Sequence, residues 1–142
     1  MPLPIVVDTD VFVSAMLGGG AANTLIGHCL RGQVQPLMGA ALYAEYESVL
    51  EREELFARSR LTRNEREELF DIFVAVSIWT RIYYAWRPNL RDESDNHLVE
   101  LAVAGGAGAI VTRNVRDFLI GAELRFPQIR IVTPVQFLRG EQ

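Results

Sequence analysis

Lysine is absent from this chain of 142 residues, and all 14 of its cationic side chains are arginine. That closes every reaction needing a lysine ammonium, Schiff-base catalysis and the Walker A phosphate loop among them. Gly18, Gly19 and Gly20 therefore read as a turn rather than a phosphate cradle. Cysteine is nearly absent too. A single Cys29 excludes a disulfide framework and any cysteine-based zinc site, and reads as a small buried hydrophobe. His28 and His97, the two histidines, lie far apart without ligand spacing, which leaves a metal role as a minor alternative for them. No apolar run approaches the roughly 20 residues that cross a bilayer, and the first residues lack a signal peptide's basic stretch. The expectation is a cytoplasmic protein with no membrane role. Positive charge is scarce overall: 14 basic against 18 acidic side chains leave a net charge of −4. That sign is wrong for coating nucleic acid by bulk charge, but it does not exclude a nucleic-acid enzyme that brings metal cations to an acidic site.

What is present is ordinary globular composition, 49% hydrophobic and 23% charged, at the length of one domain spanning residues 1–142. Residues 3–7 form a β-branched apolar run without alternation, the look of a buried parallel strand. A helix is expected from about Val11, broken by the three glycines and resuming over 21–30. A second strand follows at 34–38, and helical spacing of Leu42, Tyr46, Val49 and Leu50 predicts a helix over 40–52. Thr62 with Glu65 makes a capping box for the next helix. A third strand is expected at 80–85, a helix at 95–104, strands at 109–111 and 129–132, and one helical turn at 115–119. Thr133 with Pro134 opens a short last helix. Strands alternating with helices predict an α/β fold, a three-layer α/β/α sandwich around a mainly parallel sheet.

Ligands in such sheets collect beyond the carboxyl ends of the strands. Asp8 stands at that end of the first strand, and Thr112, Asn114 and Asp117 follow the strand at 109–111. Asp95 opens a helix behind Asp92 and Glu93, and Glu45 lies in the first turns of the helix after the second strand. Crowded carboxylates raise one another's pKa unless a cation sits between them, and Mg²⁺ is the natural hard cation for such donors. Taken singly, each acid is most simply a helix cap or a solvated surface group. Asp8 fits that reading least, since a carboxylate directly after Ile-Val-Val adds nothing evident to stability. Four segments sharing one site are a simpler account than four separate explanations. Glu47, Glu51, Glu53 and Glu54 read as a solvated face. Trp79, Tyr83, Tyr84 and Trp86 are explained by an apolar strand and its edge. Arg58, Arg60, Arg63 and Arg66 read as surface, with an RNA track as the alternative.

Four motifs in order resemble the PIN-domain ribonucleases, particularly the small bacterial and archaeal members that are toxins of toxin–antitoxin systems. They are Val-Val-Asp-Thr-Asp at 6–10, Glu45 in Tyr-Ala-Glu-Tyr, Asp95 in Asp-Asn-His-Leu, and Val-Thr-Arg-Asn-Val-Arg-Asp-Phe at 111–118. The resemblance implies Asp8, Glu45, Asp95 and Asp117 as catalytic, metal-binding acids holding Mg²⁺ or Mn²⁺. It implies Thr112 and Asn114 in support, with Arg113 and Arg116 placed to grip substrate phosphates. It further implies metal-dependent hydrolysis of RNA phosphodiesters, a cognate antitoxin protein as partner, and a homodimer. The apolar and arginine-rich stretch 55–73 has no evident partner within the chain and is the one sequence argument for that dimer. Asp10 departs from the family pattern, which more often has Asn or Ser there; alternation along a strand end would aim it the same way as Asp8. Asp92 is a further candidate. One alternative is a non-catalytic RNA- or antitoxin-binding relative. Another is a phosphatase resembling the haloacid dehalogenases, but their pattern needs Thr or Ser where Phe12 stands, and a lysine. Receiver domains fail on the same missing lysine.

Overall fold

The computed structural model describes residues 3–82, 96–116 and 128–140. Three strands pair in parallel, β1 (Ile5–Val7), β4 (Ala109–Val111) and β5 (Arg130–Val132), in the order β1-β4-β5. The first two are fully buried apolar triplets, as expected of strands covered on both faces. β2 (Leu37–Met38) pairs in parallel with β3 (Ile78–Trp79). A parallel bridge from Ile5 to Pro36, and an Ile5 N–H donating to the Gln35 carbonyl at 2.9 Å, set this pair beside β1. The result is the parallel sheet and α/β sandwich read from the sequence.

The register fixes what meets at the carboxyl edge. Val7 lies opposite Val111 in the β1–β4 ladder, and the Asp8 N–H donates to the Val111 carbonyl at 3.0 Å. Residues 8 and 112 thus leave the sheet side by side, although 104 positions apart in sequence.

The helices are α1 (Thr9–Met16), α2 (Gly20–Leu30), α3 (Ala40–Leu50), α4 (Arg63–Val76), α5 (Asn96–Gly105) and α6 (Pro134–Arg139), with a 3₁₀ turn at Glu53–Phe56. α5 packs on β1, β2 and β4. It sits close because Gly105 has no Cβ, which would strike the Leu37 side chain. Between α1 and α2 the chain reverses through Gly18, Gly19 and Gly20 at φ +101°, +70° and +76°, a backbone only glycine adopts without strain. The expected capping box of Thr62 with Glu65 is present, and the last helix starts at Thr133 and Pro134 as expected, with a second box, Thr133 with Gln136, that the sequence reading did not name. Phe12, Tyr46, Phe70 and Phe73 interlock in the core, with Phe12 5.4, 6.1 and 5.1 Å from the other three rings in that order.

Several boundaries differ from the sequence expectation. α1 begins at Thr9, not near Val11, because Asp8 itself caps it. Asp10 therefore lies in the first helical turn and not on an extended strand end. β3 ends before the expected span of 80–85; Thr80 still donates its N–H to the Met38 carbonyl at 2.8 Å, and residues 83–85 lie outside the described residues. The stretch 55–73 is largely satisfied internally. Phe56, Phe70 and Phe73 are buried, and so is Arg66, whose guanidinium grips both Glu53 oxygens at 2.6 and 2.8 Å and lies 4.5 Å from the Phe56 ring centre. Leu55 and Ile72 stay exposed, at 38% and 42%, so only part of this stretch finds its partner within the chain. Arg63 pairs with Glu67 at 3.2 Å, while Arg58 and Arg60 are exposed.

Candidate active site

Asp8 is only 6% exposed. Its Oδ1 accepts from the Thr9 N–H at 2.7 Å and its Oδ2 from the Thr112 hydroxyl at 2.8 Å. This carboxylate is a helix cap after all, contrary to the reading that made it the acid least explained by capping. Capping accounts for one oxygen, and the bond to the buried Thr112 fixes the other. Thr112 in turn accepts from the Asn114 N–H at 3.1 Å. Burial pushes the Asp8 carboxyl above its ordinary pKa, with the charge of Glu45 adding to the rise against the Thr112 bond.

Two residues on, Asp10 accepts from the Arg113 backbone N–H at 3.2 and 3.3 Å. Burial and then the neighbouring Asp8 charge raise its pKa from 3.8 to about 6. From α3, Glu45 reaches the same corner. Its Oε1 accepts from the Thr9 hydroxyl at 3.1 Å, and its Oε2 lies 2.5 Å from His97 Nε2. Burial works to raise the Glu45 pKa, but the His97 contact and the Thr9 bond outweigh it and hold the group below its usual value. The Tyr46 hydroxyl donates to the Val7 carbonyl at 2.8 Å, pinning α3 against the end of β1.

Three carboxylates thus gather at the carboxyl edge of β1 and β4, and two of them resist ionising. Asp8, Glu45 and Thr112 come together as the sequence suggested. Asn114 joins through its backbone, Arg113 through its N–H on Asp10, and Arg116 is exposed on the helical turn that follows. Asp95, Asp117 and Asp92 lie outside the described residues. His97 was set aside in the sequence and proves to be the partner of Glu45. Its only sequence signal was its place at the start of the helix next to Asp95. His97 Nδ1 is buried without a hydrogen-bond partner among the described residues.

Among the described residues no group of three or more His, Cys, Asp or Glu side chains is arranged to hold a metal ion. The donor chemistry nonetheless suits one. Asp8 offers hard carboxylate oxygens, and burial with the charges of Glu45 and Asp10 nearby suppresses ionisation at this corner, the penalty a divalent cation relieves.

The Asp10 shift has a testable sign. A carboxyl with a raised folded-state pKa holds its proton more tightly when native. Its contribution favours the fold at low pH and is lost as pH rises from 3.8 to about 6. Without divalent metal, Asp10→Asn should match the original chain below this window and exceed it in stability above, by on the order of 1–3 kcal/mol. Denaturant midpoints of both proteins in chelator across the window check this; parallel curves would refute it.

A family model for the PIN domain matches residues 4–116. No curated protein matches the chain.

Proposed function

The chain belongs to the PIN-domain family, whose members are generally nucleases, and from that premise we propose that it is a Mg²⁺- or Mn²⁺-dependent endoribonuclease. What supports the reading is the buried Asp8 carboxylate, held at both oxygens beside Asp10 and Glu45 where β1 and β4 end.

Asp8 and Glu45, together with Asp95 and Asp117, are the proposed metal-binding acids. When bound, the metal supplies the Lewis acidity that activates water and steadies the leaving oxygen of the phosphodiester. The protein's own groups do the positioning. The Thr9 N–H and the Thr112 hydroxyl fix the rotamer of Asp8, and the Thr9 hydroxyl and His97 fix Glu45. Ligands held this way lose little freedom on loading. Arg113, Arg116 and Asn114 stand exposed at the rim, where guanidinium forks suit the phosphates of a single strand. A phosphatase of the haloacid-dehalogenase type is disfavoured, since the position where it needs a hydroxyl is held by Phe12 in the core.

The finer assignment is a toxin of a toxin–antitoxin pair, acting in the cytoplasm as a homodimer with a cognate antitoxin. Its support is the sequence resemblance.

The deciding experiment incubates the intact chain with generic single-stranded RNA in chelator, Mg²⁺ and Mn²⁺, and records melting in the same buffers. Cleavage confined to the metal buffers is expected, with a higher melting temperature there because the ion binds only the folded state. Asp10→Asn should keep the cleavage rate within about tenfold, or about 1.4 kcal/mol of barrier. Absence of both cleavage and metal-linked melting would remove the proposal.

A further inference from the structure

Beside the acids lies a cavity of about 370 Å³, inside the range of roughly 300–1,000 Å³ that takes small ligands. Ser14, Arg113, Thr133, Pro134, Val135 and two alanines at the start of α2 line it. Two links join it to the candidate site. Arg113, on its wall, donates its backbone N–H to Asp10. Ser14, also lining it, stands four residues beyond Asp10 on α1 and so on the same helical face.

Its chemistry is mixed in an informative way. The exposed Arg113 contributes the one guanidinium of the lining. The Thr133 hydroxyl oxygen accepts from the Gln136 N–H at 3.2 Å, which leaves its proton free to donate, and Ser14 adds a second hydroxyl. Pro134, Val135 and the alanines form an apolar wall. A cation, two hydroxyls and an apolar surface match the phosphate, sugar hydroxyls and flat base of a single nucleotide. The net charge of −4 argues that a polyanion is held here by local contacts rather than by the protein's overall field.

Building on the nuclease reading, we propose that this cavity is a nucleotide subsite, holding the RNA residue next to the scissile phosphate. Arg113 links the two, with its backbone on Asp10 and its side chain toward the substrate phosphate. The acids then cut where the strand leaves the cavity.

The test titrates ribonucleoside 5′-monophosphates into the isotopically labelled intact chain without metal and follows backbone amide resonances. Saturable shifts are expected at Ser14, Arg113 and Val135. Val135 is 44% exposed, so Val135→Glu places a repelling charge in the cavity without disturbing the core. It should weaken mononucleotide binding at least tenfold and raise the KM for single-stranded RNA by a similar factor, with kcat within about twofold. Ser14→Leu, which fills the cavity from α1, should do the same; melting curves confirm that each variant is folded. No saturable shift, a shift mapping elsewhere, or unchanged binding and KM in both variants would overturn the subsite. Loss of the nuclease reading looks different: the original chain would fail to cut RNA in Mn²⁺, while mononucleotide mapping would still report on the cavity.

Discussion

Asp8→Asn is expected to abolish RNA cleavage and most of the metal-linked stabilisation, while the metal-free variant melts no lower than the original chain. The two effects separate because Asp8 has two jobs. As a cap it needs only an oxygen for the Thr9 N–H, and the asparagine amide supplies one equally well. The new NH₂ group meets Thr112, whose hydroxyl can turn and accept. Removing the charge also ends its repulsion with Asp10 and Glu45. As a ligand, however, the neutral amide binds a hard cation poorly, and no neighbour takes its place. A loss of at least about a hundredfold in rate, or about 2.7 kcal/mol, is expected. Asp8→Ala should differ in the fold as well. It strands the Thr112 hydroxyl and the Thr9 N–H, at a cost of about 1–3 kcal/mol without metal. Melting of the three proteins in chelator and in Mn²⁺, beside their cleavage rates, tests the division. A full metal-linked shift in Asp8→Asn would mean that the cation sits elsewhere.

The largest stability effect belongs to Phe12→Ala. Phe12 is 1% exposed and meets Tyr46 and Phe70 edge-on and Phe73 at a tilt, so its loss removes one side of three ring contacts together. Emptying a site of this kind costs about 3–5 kcal/mol, a large share of the roughly 5–15 kcal/mol that holds a domain folded. Ile72→Ala is the control: at 42% exposure it should shift stability by no more than about 0.5 kcal/mol. Urea midpoints give both values. A Phe12→Ala loss below about 1 kcal/mol would show that the surrounding rings collapse into the gap.

Local signals made most of the fold legible. β1 and β4 announced themselves as unalternating apolar runs, and the Thr62–Glu65 capping box and the Thr133-Pro134 pair marked two helix starts to the residue. The errors arose where a residue's role is set by a partner distant in sequence. Asp8 was read as a strand-end acid, since nothing in Asp8-Thr9-Asp10 indicates that the helix starts at once. Arg66 reads as surface in the sequence because arginine is rarely buried; Glu53, folded back by the 3₁₀ turn, and the Leu61 carbonyl make its burial tolerable. His97 was dismissed for lacking ligand spacing, but its partner is Glu45, 52 positions away. Asp95 and Asp117 remain part of the proposed site on sequence grounds.

The β1–β4 register has a consequence in time. Asp8, Asp10 and Glu45 all lie in the first third of the chain, yet Asp8 gains its Thr112 bond, and Asp10 its bond to Arg113, only once β4 has paired with β1. Contacts this distant in sequence form late, after loop closure has been met by other packing. During synthesis, a chain that has emerged only as far as Gly105 carries every proposed acid except Asp117, and the whole Phe12 cluster, but no neighbour for β1 on the β4 side. Its carboxylates are present and unassembled. On the proposed function, cutting activity would switch on only with the last third of the polypeptide, and a fragment released early would be inert whatever its metal supply.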